Sequence, residues 1–225
     1  MTVQRRYRIG ALHALANAIP TTQDAFDRVW PDADVAHLLD GSLYLDRNAG
    51  TADDAELASR IDRLIQYSAT TGADALIVTG SFCGEAAIQA RDNVTMPVAT
   101  SFDGIIERAL LLASDQPLHV LSTAPDSATL LSEAIEVEAT RRGVPVVLSS
   151  HPVAGALDAL TGGDGERHDT LVLEAIRDID ADTAIVFAQF SMERILPASA
   201  DAHSAPVIGP ASEGVAYLRQ LITAL

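Results

Sequence analysis

The 225-residue chain carries one thiol, Cys83, at the end of the run Thr79-Gly80-Ser81-Phe82-Cys83. Ahead of it lies the apolar segment Ala75-Leu76-Ile77-Val78. That order reads as a strand, a glycine turn and the first turn of a helix. A thiol there feels the positive end of the helix dipole, which favours the thiolate, so Cys83 is a candidate acid/base or nucleophile. The same residue could instead be a small buried hydrophobe. Ser81, with the backbone N–H groups around Gly80, offers donors to a carboxylate at a helix start, and Thr79 belongs to the same candidate binding turn. A second polar turn, Gln189-Phe190-Ser191, follows the apolar run Ala184–Ala188. A carboxamide is no base, but it can orient water or donate to an oxyanion, which makes Gln189 and Ser191 candidate catalytic donors. Thr123 and Ser127 come just after the run Leu118–Ser122, where polar groups of a ligand would be gripped. His13 closes the first apolar run and is a candidate substrate contact or base, since an unperturbed imidazole titrates near neutrality.

Other polar clusters carry less. His168-Asp169 has no second pair at ligand spacing, so it reads as helix-start capping and no metal site is expected. Gly162-Gly163-Asp164-Gly165 is a turn in which Asp164 and Glu166 would repel phosphate. Asp40-Gly41-Ser42 with Asp46 reads as a polar loop.

Composition closes off whole classes. All 15 basic residues are Arg, against 31 acidic residues, for a formal charge of −16. Without Lys there is no Walker A lysine, no Schiff-base chemistry and no self-contained pyridoxal-phosphate site. The acidic balance supplies no basic stripe for nucleic acid or anionic membranes. A single Cys excludes a disulfide framework and any CxxC site. The first ten residues lack the apolar segment of a signal peptide, and no stretch is long enough to span a bilayer, so a cytoplasmic protein is expected.

Eight short apolar runs read as strands: Tyr7–Leu12, Val35–Leu39, Ala75–Thr79, Pro97–Thr100, Leu118–Ser122, Pro145–Leu148, Ala184–Ala188 and Pro206–Ile208. The amphipathic segments between them read as helices: Thr22–Trp30, Asp53–Thr71, Gly84–Arg91, Asp103–Leu112, Asp126–Arg142, Arg167–Ile179 and Ser212–Leu225. Thr51 ahead of Asp53 and Asp54, and Asp126 ahead of Ser127, put acidic or hydroxyl groups where the orphan N–H groups of helix starts need acceptors. Such alternation gives βαβ units and a mostly parallel sheet flanked by helices. The grammar also repeats. Ala73-Asp74-Ala75-Leu76-Ile77-Val78 aligns with Ala181-Asp182-Thr183-Ala184-Ile185-Val186, Met96-Pro97-Val98 with Ala205-Pro206-Val207, and Ile19-Pro20-Thr21-Thr22 with Ala124-Pro125-Asp126-Ser127. The fold class expected is therefore α/β, with two pseudo-symmetric half-domains, residues 1–113 and 114–225. The C-terminal helix is free to pack back onto the first half, and an active-site cleft is expected between the halves.

These repeated strand ends, with Val120-Leu121-Ser122-Thr123, Gly163-Asp164, His168-Asp169 and Ala205-Pro206-Val207, resemble the aspartate/glutamate/hydantoin racemase superfamily, which includes arylmalonate decarboxylase and maleate isomerase. The resemblance covers nearly the whole chain. It implies cofactor-independent chemistry at a carbon α to a carboxylate (racemase or isomerase, decarboxylase or lyase) on a small amino acid or dicarboxylate, in a homodimer. It also implies one cysteine at the end of each central strand, and here those positions fall on Gly80 and on Ala188 or Gln189. Two-thiol racemisation is therefore unavailable. The alternative is an inactive protein of the same fold that binds a small carboxylate. The apolar helix Ile105–Leu112 reads equally as a dimer face or as a core-facing helix.

Overall fold

The computed structural model describes residues 6–224. The chain divides into two compact units, Met1–Gly104 with Gly214–Leu225 and Ile105–Glu213. In the first, β1 (Arg8–His13), α1 (Ala18–Val29), β2 (Asp34–Leu39), α2 (Ser42–Ala49), α3 (Asp54–Thr70), β3 (Ala75–Val78), α4 (Gly84–Ala90) and β4 (Val98–Thr100) follow in order. The chain continues through α5 (Asp103–Ala113), β5 (Leu118–Ser122), α6 (Pro125–Arg142), β6 (Leu148–Pro152), α7 (Ala156–Thr161), α8 (Gly165–Arg177), β7 (Ala184–Phe187), α9 (Leu196–Ala202), β8 (Val207–Ile208) and α10 (Pro210–Thr223). The sheets are all parallel and share one order, β2-β1-β3-β4 and β6-β5-β7-β8. Two four-stranded parallel sheets flanked by helices are what the repeated βαβ grammar predicts.

The central strands are the most apolar. Every residue of β3 and β7 is buried, as a parallel strand covered on both faces requires. In the first unit, Leu12, Leu76 and Val78 pack with Leu57, Ile61 and Ile65 of α3. In the second, Leu121, Ile185 and Phe187 pack with Val172 and Ile176 of α8. The spacing of the helix residues, four apart, is one buried face of each helix. The last helix joins the first unit's α1, where the Arg219 guanidinium donates to the Val29 carbonyl at 2.9 Å. Among the described residues, no helix is long and apolar enough to cross a membrane.

Several local expectations need correction. From Ser42 through Asp46 the expected loop is the first part of α2, and Asp40 lies just ahead of it: Arg60 of α3 holds Asp46 at 2.7 Å and Asp40 at 3.2 Å. Helix α1 starts at Ala18, four residues before the expected Thr22. The strand expected over Pro145–Leu148 runs instead over Leu148–Pro152, a polar and largely exposed edge. Asp53 lies just outside α3 and caps it, accepting from the Glu56 N–H, whereas α6 starts at Pro125 behind Ala124, which gives no side-chain cap. The cap of α8 is Asp164, which accepts from the Arg167 N–H; His168 lies inside the helix, bonded to Asp169 at 2.8 Å. In α5, Ile105, Ala109, Leu110 and Leu112 are buried within the chain and only Leu111 among its large apolar residues is well exposed, so this helix does not supply an open apolar dimer face.

Candidate functional site

Both sheets end their central strands in a polar turn, and the carboxyl ends of the strands are where ligands meet open α/β sheets. In the first unit, β3 leads through Thr79 and Gly80 into a single 3-10 turn, Ser81–Cys83, and then α4. Gly80 has φ +93° and ψ +117°, a conformation L side chains rarely adopt. A Cβ there would meet only the Phe82 ring at 3.7 Å, so backbone conformation, not space, requires glycine. Ser81 is exposed. Cys83 is not a surface thiol: it is 1% exposed within the apolar cluster of Leu12, Val78 and Ala87. Burial pushes its pKa up to about 12, and the nearby Arg47 charge recovers only part of that. The expected stabilised thiolate is absent because desolvation outweighs the short helix start. Cys83 is a core residue.

His13 also departs from expectation. It is fully buried, bonded through Nδ1 to Thr79 Oγ1 at 2.9 Å and through Nε2 to His37 Nδ1 at 2.9 Å. Burial, with His37 beside it, lowers its pKa to about 4, so it is neutral at pH 7. Thr79 is likewise buried. Two residues not anticipated from sequence belong to this neighbourhood. His37, on β2, faces His13 because the parallel register pairs it with Ala11, two residues earlier on β1. Arg47, on α2, sets its guanidinium 5.0 Å from the Phe82 ring centre and has no carboxylate partner among the described residues. Reading α2 as a loop concealed it.

In the second unit the ends of β5 and β7 are knotted by one side chain. The Gln189 carbonyl oxygen accepts from the Thr123 backbone N–H at 2.7 Å and the Thr123 hydroxyl at 2.8 Å. The Ser122 hydroxyl lies 3.0 Å from the same oxygen and 2.6 Å from the Ala124 carbonyl. Two lone pairs are thereby filled, so the Gln189 oxygen is committed and the amide orientation is fixed. The amide nitrogen then offers two N–H donors that no described residue accepts. Ser122 completes the knot and was missed from sequence; its place beside Thr123 was the available signal. Thr123 is thus a holder of Gln189, with its own hydroxyl engaged. Ser127 and Ser191 are half-buried, without side-chain hydrogen bonds among the described residues. Ala188, at the position implied for a thiol, is buried.

The Gln189 turn is anchored from behind. The buried Glu193 carboxylate accepts from the Ala211 and Ser212 N–H groups, at 3.1 and 2.9 Å, at the start of α10. A Cβ on Gly209 would lie 2.1 Å from Glu193 Oε2, so only glycine leaves room for this carboxylate. Among the described residues, no cluster of His, Cys, Asp and Glu could hold a metal ion.

Residues 16–221 match the family model of the Asp/Glu/hydantoin racemases. The chain belongs to that family. No curated protein matches it. Among solved structures, an allantoin racemase from Klebsiella pneumoniae superposes with a TM-score of 0.69 at 17% identity, covering 97% of this chain and 88% of that one. A glutamate racemase from Bacillus anthracis gives 0.67 at 15% identity, over 98% and 83%. The maleate isomerase from Pseudomonas putida S16, solved with maleate, gives 0.64 at 15% identity, over 96% and 92%. At such identities the likeness is one of fold. The strand-end turns of this chain carry a glycine set by its φ in one unit and a pinned carboxamide in the other.

Proposed function

We propose that this racemase-family protein is a cofactor-independent enzyme acting at a carbon α to a carboxylate, on a small amino acid or dicarboxylate. Its reaction is an isomerisation, decarboxylation or elimination that needs no pair of thiols. The observation that carries the reading is Gln189. Its oxygen is held by Thr123, and its two amide N–H groups are left to donate at the end of β7. Such preset donors favour the negative charge that develops on a carboxylate oxygen when the α-carbon becomes carbanionic, and they need no reorganisation as it forms. Ser191 adds a hydroxyl two residues on. At the other strand end, Ser81 and the Arg47 guanidinium on Phe82 suit a carboxylate. Cys83 has no part in this chemistry. The ligand is a small carboxylate-bearing molecule, in a cytoplasmic protein without nucleic-acid or membrane partners, and the assembly is a homodimer that light scattering at two concentrations would register as twice the chain mass.

The test is incubation of the purified protein in D₂O with a panel of amino acids, dicarboxylates and malonate-type acids, followed by NMR. Deuterium at the α-carbon, or conversion of a panel member, is the expected result; a wholly silent panel would sink the enzymatic reading. A second reading is favoured by Gly80, Ala188 and the buried Cys83: a protein that binds a small carboxylate without turning it over. A thermal-shift screen separates the two, because binding without conversion supports the second and conversion of any bound compound removes it.

A further inference from the structure

Four side chains of the first unit bond in series: Thr79 Oγ1 to His13 Nδ1 at 2.9 Å, His13 Nε2 to His37 Nδ1 at 2.9 Å, and His37 Nε2 to Gln23 Oε1 at 3.0 Å. The proton positions follow from one end. Gln23 of α1 donates its amide nitrogen to Asp27 Oδ1 at 2.7 Å, so the atom it turns to His37 is its oxygen, an acceptor. His37 must then carry hydrogen on Nε2. If His37 is neutral, its Nδ1 accepts, so His13 carries hydrogen on Nε2. If His13 is neutral too, its own Nδ1 accepts, and the Thr79 hydroxyl must donate to it. Only one arrangement of a neutral chain satisfies every bond.

A second arrangement exists with one more proton. Thr79 Oγ1 also lies 3.2 Å from the Leu12 carbonyl oxygen, an acceptor unused by that hydroxyl in the neutral chain. With one proton more from solvent, the balanced end state has the Thr79 hydroxyl's own proton on His13 Nδ1 and the added proton on Thr79 Oγ1. His13 passes its Nε2 proton to His37 Nδ1, and His37 becomes an imidazolium, still donating from Nε2 to Gln23. Thr79 and His13 each receive one proton and give one, His37 keeps the one it receives, and the charge rests on His37. The Thr79 hydroxyl now donates to Leu12. We propose that Gln23, His37, His13 and Thr79 form a buried proton wire that stores one proton on His37 and reports it to the strand-end turn by reversing the Thr79 hydroxyl.

The surroundings fit a store at His37 and not at His13. His13 is fully buried, whereas His37 is half-buried and lines a surface pocket with Arg8 of β1 and Tyr67 of α3. Arg8 is itself tied to the Thr71 carbonyl at 2.8 Å, and Asp27 stands behind Gln23. Among the described residues, no carboxylate bonds either ring, so one proton is all the pair admits. Both imidazoles are held below the ordinary range by burial, His13 to about 4 with His37 adding to the effect. The second unit has a His119–His151 contact at 2.8 Å, but no amide fixes its direction. The wire stands apart from the catalytic reading, since a protein that only binds its ligand would carry it equally.

Long-range ¹H–¹⁵N NMR of the imidazoles tests it without any substrate. At pH 7 both His13 and His37 should be the Nε2–H tautomer. On acidification His37 should gain its proton while His13, still neutral, converts to Nδ1–H in the same titration step. A His13 that keeps its tautomer while His37 titrates, or that takes the first proton itself, overturns the proposal. Gln23→Glu places a carboxylate on His37 and should move the joint step above pH 7, with His13 already Nδ1–H at neutrality. Thr79→Val removes the terminal acceptor and should move the step to lower pH. Two independent bonds would leave His13 unchanged in the Gln23→Glu variant, and that result would also refute the wire.

Discussion

Placing a cysteine at position 80 should cost stability. Gly80 sits at φ +93°, ψ +117°, and forcing an L residue into a sparsely populated region costs on the order of 1–3 kcal/mol. Replacing glycine also restricts the unfolded chain, which offsets roughly 0.4–1 kcal/mol. The net expectation for Gly80→Cys is a loss of about 1–2 kcal/mol. Because a Cβ would meet Phe82 only at an ordinary 3.7 Å, Gly80→Ala should lose the same amount. Urea unfolding measures both: with a slope of about 2 kcal/mol/M, each midpoint should fall by roughly 0.5–1 M. Equal stability of the parent and both variants would refute the backbone argument. A Cys variant much weaker than the Ala variant would place the cost in packing instead.

Acid should weaken the fold early. His13 and His119 are each lowered to about 4 by burial and a neighbouring histidine, so the unfolded chain binds protons that the native one does not as pH falls below about 6.5. The stability these groups contribute is present above that pH and lost towards 4, by about 2 kcal/mol per histidine between pH 7 and 5. Melting curves across this range test it, and a flat profile would contradict the neutral burial of His13 and His119. Cys83 should label slowly with iodoacetamide at moderate pH, and Cys83→Ser should lower the melting temperature by burying a more polar group; fast labelling protected by a carboxylate would reverse its assignment. Gln189→Leu should cost about 1–3 kcal/mol in denaturant, because the Thr123 N–H and hydroxyl lose their acceptor. No change would mean that water replaces the amide.

The parallel sheets and their repetition are legible because buried parallel strands are short apolar runs, and Ala75–Val78 and Ala184–Phe187 stand out as such. Elements that bury little are not. Helix α2 has Leu43 as its one buried residue, and β6 is an exposed Leu-Ser-Ser-His-Pro edge overshadowed by the apolar Val146-Val147 just before it. At the site, sequence places Gln189, Thr123 and Ser81 at strand ends but says nothing of which atoms they spend on each other. Cys83 illustrates the same limit: its position at a helix start is readable, whereas its desolvation depends on packing with Leu12, distant in sequence. His13 looks like a free base until the register brings His37 beside it.

In the proposed function a pinned carboxamide, and no thiol, serves chemistry next to a carboxylate. Its most direct test is α-deuterium incorporation in D₂O by three proteins: the parent, Gln189→Leu and Cys83→Ser, each checked for folding by circular dichroism. The expected results are exchange into at least one small carboxylate by the parent, undiminished exchange by Cys83→Ser, and a loss of about 100- to 1000-fold in Gln189→Leu, the usual effect of removing an oxyanion donor. Exchange that disappears in Cys83→Ser while surviving in Gln189→Leu would contradict it.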